Sequence, residues 1–187
     1  MERWPTVESL AAAGLDDVIR AWQGLGYNRR AVNLHRAARI VATEGWPDDL
    51  TALPGVGTYT AAAVRRFARN EAVLPVDTNI RRVVERTGHD FGPPAAEALM
   101  DLGREVCVAR VPRCEVCPLA RACPSRGRRY EPLRKQSRFE GSFRQRRAET
   151  LRIVVAGRSG ELDREAVDSL VRDGLLETTG TSVRLPS

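Results

Sequence analysis

Four cysteines, Cys107, Cys114, Cys117 and Cys123, fall within seventeen residues, and the 187-residue chain has no others. That spacing commits the surrounding segment to one task. Four thiolates so close in sequence enclose a metal ion or an iron–sulfur cluster more readily than they staple separate loops. Local disulfides would suit an oxidising compartment, but no signal peptide and no apolar run near the ~18 residues of a membrane span is present, which favours a reducing cytoplasm. Structural zinc sites usually show two separated C-x-x-C knuckles, whereas only Cys114 and Cys117 are so paired here. Spacing alone leaves zinc and iron–sulfur both open.

The segment around the cysteines is also where the positive charge sits. The net charge of +6 and pI near 9.8 point to a polyanionic partner. Lys135 is the only lysine, however, and so arginine-heavy a composition partly reflects a GC-rich genome, which makes the position of the charge more informative than its total. Residues 104–147 carry thirteen basic and four acidic side chains, against seventeen basic and twenty acidic elsewhere. With 42% hydrophobic residues the chain can bury a core as one domain with an appendage or as two small ones.

The first two-thirds read as helix. Asp16 can cap a helix through Trp22 that ends at Gly24 and Gly26. A second, from about Asn28 to Thr43, puts Ala31, Leu34, Ala38, Val41 and Ala42 on a core-facing stripe. His35, beside that stripe, reads as packing or helix surface rather than a ligand. Asp77 or Thr78 can start another helix with Ile80, Val83, Val84 and Thr87 on one face and Gly88 as its stop. After an arginine-rich linker over 127–147, residues 148–156 and 164–172 read as short helices. Residues 175–179 and 182–185 can then pair as a hairpin around Gly180, which suggests a small winged-helix-like module.

Between two of the helices lies Leu53-Pro54-Gly55-Val56-Gly57-Thr58-Tyr59-Thr60-Ala61. Pro54 disfavours helix at Leu53, two glycines permit tight or left-handed backbone, and Thr58 can cap a helix to about Arg69 with Ala63 and Phe67 facing inward. This is a helix-hairpin-helix. Its bare glycine backbone and the positive end of the following helix suit a DNA phosphate, although an ordinary αα-corner would look much the same. Asp77, in Pro75-Val76-Asp77-Thr78-Asn79-Ile80, has an equally plain role as an N-cap.

Taken in order, the run from Leu53 to Ala61, the segment Val76-Asp-Thr-Asn-Ile-Arg-Arg-Val, and Leu99-Met-Asp-Leu-Gly followed by Cys-x6-Cys-x2-Cys-x5-Cys resemble the helix-hairpin-helix DNA glycosylases of the endonuclease III superfamily. Trp22-Gln-Gly-Leu-Gly-Tyr-Asn-Arg-Arg-Ala-Val-Asn-Leu-His is most similar to the MutY-type A/G-specific adenine glycosylases. The similarity runs over residues 3–126, and Arg138-Phe-Glu-Gly-Ser-Phe-Arg-Gln-Arg-Arg resembles the linker of short actinobacterial members.

The resemblance implies an all-α helix-hairpin-helix glycosylase fold. Residues 1–90 would form part of its six-helix domain, with the hairpin at about 49–69, and residues 91–126 its iron–sulfur domain. A basic linker over 127–147 and the winged-helix-like module over 148–187 would follow. It implies a 4Fe-4S cluster on the four cysteines. The implied partner is double-stranded DNA with a mispaired base, met by a monomer in the bacterial cytoplasm at the nucleoid. The chemistry is hydrolysis of an N-glycosidic bond after the target base leaves the duplex. Asp77 matches the aspartate that stabilises the positive charge growing on the sugar, and Asn79 matches an asparagine that positions it. Gly55, Val56, Gly57 and Thr58 would grip a phosphate. Tyr27 matches the aromatic residue that wedges into the base stack.

Bifunctional relatives carry a strand-cleaving lysine where this chain has Tyr59, and Lys135 is remote, so a monofunctional enzyme is expected. Tyrosine there also occurs in thymine-removing mismatch glycosylases, so thymine or uracil is the alternative base. The tail is too short for the Nudix-like domain by which longer members recognise 8-oxoguanine. Adenine glycosylases also use a glutamate, in a segment resembling S-E-x-M-L-Q-Q-T, to protonate the leaving base. Nothing like that segment occurs here, and Glu2-Arg3-Trp4-Pro5-Thr6 corresponds to family sequence downstream of it. The expectation is a chain lacking roughly the first quarter of a short member. Such a chain would either be slowed or act as an iron–sulfur DNA-binding protein without catalysis.

Overall fold

The computed structural model describes residues 2–131, 137–158, 160–180 and 182–187. Lys135 lies outside them. Two compact units are present, and they do not follow chain order. One joins residues up to 55 with those from 137 onward, and the other spans the described residues from 56 to 131. Among the described residues no helix is long and apolar enough to cross a membrane.

The first unit begins with three helices. α1 (Val7–Ala11) starts at a reciprocal cap: the Thr6 hydroxyl accepts from Ser9 N, and Ser9 Oγ accepts from Thr6 N. Five residues are too few to show a periodicity, so the sequence gives no warning of it. In α2 (Leu15–Ala21) the cap is Gly14. Asp16, expected as the cap, sits in the first turn, where its charge suits the positive helix end. α3 (Arg29–Glu44) buries Ala31, Val32, His35, Ala38 and Val41. The expected stripe was therefore rotated: Leu34 and Ala42 are exposed, because α1 and α2 both pack on the side that carries Val32 and His35. His35 is a core histidine whose Nε2 donates to the Ala13 carbonyl at 3.0 Å.

The end of the chain completes this core. α7 (Phe143–Val155) starts at a Ser142 cap, inside the segment read as linker, and α8 (Arg164–Arg172) is capped by Asp163, which accepts from Ala166 N. Strands β1 (Glu177–Thr179) and β2 (Ser182–Arg184) pair antiparallel with Thr178 opposite Val183. Leu151, Leu170, Leu175, Leu176 and Leu185 form one buried cluster with Val18, Ile19, Ala31 and Val32. Arg20 Nη1 donates to the Val155 carbonyl at 2.6 Å, and Arg147 donates to Ser169 Oγ and to Asp173 at 2.6 Å. Leu151→Ala therefore lowers the unfolding free energy by about 2–5 kcal/mol, read as a fall in the urea midpoint. An unmoved midpoint would show that the cluster is not a shared core.

The second unit holds α4 (Thr58–Phe67), α5 (Thr78–Thr87), α6 (Ala96–Asp101) and a wider π-type turn over Leu102–Val106. Its core is Ile80, Val83, Leu99 and Cys107, to which α4 contributes no side chain. That is why Phe67, expected to face inward, is 48% exposed while Ala61 is the buried residue of its helix. Gly57 rather than Thr58 is the cap of α4, which ends at Phe67, two residues short of the expected Arg69. α5 begins and stops as its sequence dictates, at the Asp77 cap and at Gly88, whose φ of +67° suits a residue without a Cβ.

Candidate functional site

Asp77 sits in extended backbone immediately before α5, with buried Pro75 fixing its approach. Its Oδ1 accepts from Asn79 N at 2.8 Å and Ile80 N at 2.7 Å, and its Oδ2 accepts from Asn79 Nδ2 at 2.9 Å. Three N–H groups and the positive end of a helix thus converge on one half-buried carboxylate. Asn79, another site residue expected from sequence, is thus in direct contact with Asp77.

The network continues into the interior. Asn79 and Arg82 are three residues apart on α5 and so share a face. Arg82 Nη2 donates to Asn79 Oδ1 at 2.9 Å and to the Gly103 carbonyl at 2.5 Å, and its Nε donates to the Cys107 carbonyl at 2.6 Å. Gly103 allows this closeness, because a Cβ there would stand 2.8 Å from Asn79 Cβ and 3.0 Å from its carbonyl oxygen. A continuous chain of hydrogen bonds therefore links the Asp77 carboxylate to the backbone of the first cysteine.

All four cysteines line a single cavity, together with Arg86, Arg126 and Leu119. Cys107 is buried and the other three are half-buried. Burial pushes the Cys107 thiol up, while the positive charges of Arg86 and Arg82 pull the other way. Gly127 N donates to Cys114 Sγ at 3.2 Å, a contact that suits a thiolate acceptor. Arg86 is 4% exposed, and only its Nη2 has a partner, the Ser125 carbonyl at 2.9 Å; Nε and Nη1 are buried without one among the described residues. An anionic occupant of the cavity would supply the missing counter-charge. Among the described residues no three such side chains are drawn close enough to hold a single metal ion. The sulfurs share a cavity without forming a tight mononuclear shell.

In the same unit, among the described residues, no side chain caps α4, and no acid lies in its first turn. Val56 is half-buried, Gly57 and Thr58 are exposed, and the uncapped amides of this ten-residue helix suit an anion. Tyr59 stands in that first turn, 41% exposed. In the other unit Gly55 adopts a φ of +76°, and a Cβ there would lie 2.6 Å from Asn33 Nδ2, so only glycine fits. Tyr27, also in that unit, is 74% exposed with a φ of +47°. Trp22 Nε1 braces its loop by donating to the Gly26 carbonyl at 2.9 Å. Holding a tyrosine in left-handed backbone costs on the order of 1–3 kcal/mol, a strain typical of functional positions.

The structure thus joins Asp77 to Asn79 and gathers the four cysteines, while Tyr27, Gly55, Gly57, Thr58 and Tyr59 are exposed and Val56 is half-buried. Arg82, Arg86 and Gly103 were not legible as site residues. The spacing of Asn79, Arg82 and Arg86 along one helical face was the available signal for the arginines.

A sequence profile described as HhH-GPD superfamily base excision DNA repair protein matches residues 1–107. An adenine DNA glycosylase of Mycolicibacterium smegmatis is 38% identical over an alignment covering 96% of this chain and 76% of that protein. One from Mycobacterium tuberculosis is 38% identical, covering 96% and 74%, and the adenine DNA glycosylase of Homo sapiens is 33% identical, covering 76% and 32%. Among solved structures, a non-covalent endonuclease III–DNA complex aligns with a TM-score of 0.57 at 25% identity, covering 66% of this chain and 70% of that one. A thermostable thymine-DNA glycosylase aligns with a TM-score of 0.56, also at 25% identity and with the same two coverages.

Proposed function

The chain belongs to the HhH-GPD superfamily of base excision DNA repair proteins and is a DNA glycosylase, and from that premise we propose that it is monofunctional, hydrolysing the N-glycosidic bond of adenine mispaired with guanine or 8-oxoguanine in duplex DNA. The observation that carries the reading is the Asp77 carboxylate, fixed by three N–H donors at the start of α5. As the base departs, positive charge grows on the deoxyribose, and a carboxylate already held in place stabilises it without reorganising. Asn79 sets the orientation of Oδ2, and Arg82 sets that of Asn79. Adenine is favoured over other bases because relatives named adenine DNA glycosylases align along 96% of this chain.

Tyr59 offers a phenol and no amine, so the sugar is not captured as a Schiff base and the strand is left uncut. The amides of Gly57 and Thr58 in one unit, and the Gly55 turn with Val56 beside it, receive phosphates, and Tyr27 enters the base stack. The four cysteines would hold a 4Fe-4S cluster, whose thiolate charge meets the unpartnered nitrogens of Arg86 and whose covalent bonds would tie the arginine-rich segment into a DNA-docking surface. Segments 1–90, 91–126, 127–147 and 148–187 are proposed as six-helix, cluster, linker and winged-helix-like parts of a bacterial, nucleoid-associated monomer, with α7 starting inside the linker.

A strand-nicking assay tests the reading on duplexes carrying A opposite 8-oxoguanine, A opposite G, T opposite G and U opposite G, each with and without hot alkali. Cleavage of the adenine duplexes only after alkali is expected. Turnover confined to T or U opposite G would replace adenine as the substrate. Firm duplex binding without any turnover would replace the enzyme by an iron–sulfur DNA-binding protein.

A further inference from the structure

A second surface lies wholly within the unit built from the two ends of the chain. The loop carrying Tyr27 and the start of α7 flank an open groove of about 1060 Å³. Tyr27 and Phe139 line it, as do Arg30, Arg144 and Arg152, and no aspartate or glutamate does among the described residues. Two further arginines in its wall, Arg29 and Arg147, share Asp173 at 3.4 and 2.6 Å. Arg30, Arg144 and Arg152 have no carboxylate partner among the described residues. Arg30 instead lies 5.6 Å over the Trp22 ring. Arg144 lies 5.9 Å from the Phe139 ring centre and donates to the Ser137 carbonyl at 2.6 Å.

The chemistry of these walls selects the ligand. Three uncompensated guanidinium groups call for a polyanion, and an open groove at the upper end of the ~300–1,000 Å³ typical of small-molecule sites has room for a stretch of polymer. The rings narrow the choice further. Tyr27 is 74% exposed and Phe139 46% exposed, and an aromatic face in a cationic groove is of use to bases whose own faces are free. In a duplex those faces are already stacked on one another, whereas single strands offer them to side-chain rings.

We propose that this groove binds a single-stranded stretch of DNA, with bases stacked on Phe139 and Tyr27 and phosphates on Arg30, Arg144 and Arg152. The site shares Tyr27 with the glycosylase reading and goes beyond it through Phe139, Arg30, Arg144 and Arg152, and it uses neither Asp77 nor the cysteines. It also gives the segment before α7 a role in recognition.

Fluorescence anisotropy of the full chain tests it with three probes of equal length: a labelled oligothymidylate, an oligomer of abasic sugar-phosphates and an undamaged duplex. The wild type prefers oligothymidylate to the abasic oligomer. Phe139→Ala weakens oligothymidylate binding by about 5- to 150-fold while leaving the abasic oligomer and the duplex within about twofold, and Phe139→Trp restores the preference. Arg152→Ala makes the slope of log affinity against log salt shallower by about 0.7 for oligothymidylate. Equal wild-type affinity for the two single-stranded probes overturns the proposal, as does an unchanged Phe139→Ala. A loss on duplex as large as on oligothymidylate also overturns it, since that marks a general backbone contact. Base release from the adenine duplexes by the wild type tests the glycosylase reading, and the oligothymidylate preference of Phe139→Ala tests this site, so the two failures are seen separately.

Discussion

An Asp77→Asn protein binds mispaired duplex within a few-fold of the wild type and releases no measurable base. Asparagine caps helices about as well as aspartate, so Oδ1 still accepts from Asn79 N and Ile80 N and α5 still forms. The change falls on the other side of the carboxylate. An amide there turns its NH₂ toward Asn79 Nδ2, replacing one hydrogen bond worth roughly 1 kcal/mol by two facing donors, and it removes the negative charge altogether. Loss of preorganised electrostatic stabilisation costs at least about 10²- to 10³-fold in rate for a single group. Single-turnover kinetics on the preferred adenine duplex, with the dissociation constant measured alongside, separate the two effects. Wild-type turnover by this variant would remove Asp77 from the mechanism.

The second large effect is expected at the buried Arg82. Its guanidinium serves Asn79 Oδ1, the Gly103 carbonyl and the Cys107 carbonyl at once, in directions that a planar fork matches and a lysine ammonium does not. Arg82→Leu leaves these acceptors unpaired in a site where arginine itself is 8% exposed, at about 1–3 kcal/mol for each one left buried. Arg82→Lys keeps the charge and loses the geometry. It lowers kcat by about 10- to 100-fold with little change in duplex affinity, the scale found when a group behind a metal ligand is altered. With the proposed cluster on the four cysteines, visible absorption from thiolate-to-iron charge transfer, normalised to protein, would show whether the variant retains it. Retained absorption with a lowered kcat means that Arg82 acts through Asn79. An Asn79→Ala, Arg82→Lys double variant should then be little worse than Asn79→Ala alone. Full turnover by Arg82→Lys would mean that the link between the two sites is packing and nothing more.

What could be read from the sequence was whatever depends on neighbours a few residues away. The Asp77 cap, the Gly88 stop, the glycine turn at Gly55 and the shared placement of four cysteines all follow from local spacing, and the structure has each of them. The faces of α3 and α4 were not local matters. Leu34 and Phe67 look as apolar as any core residue, yet which side of a helix is covered depends on partners such as α1, α2 and the distant tail. Arg82 and Arg86 were hidden for another reason. Arginine is a surface residue by habit. Only the carbonyls of Gly103, Cys107 and Ser125, presented by segments some twenty to forty residues away in sequence, make burial of these side chains tolerable.

Because Leu151, Leu170 and Leu185 are what Val18, Ile19 and Val32 pack against, assembly during synthesis has a built-in order. The stretch from 56 to 131 emerges from the ribosome with its own core residues in hand, whereas α2 and α3 must wait until residues 143–185 have been translated. Loop closure over more than a hundred residues is slow compared with local helix pairing. Nascent chains stalled before residue 143 should accordingly present the apolar side of α3 to water, and so to the cell's chaperones, until the last helices arrive.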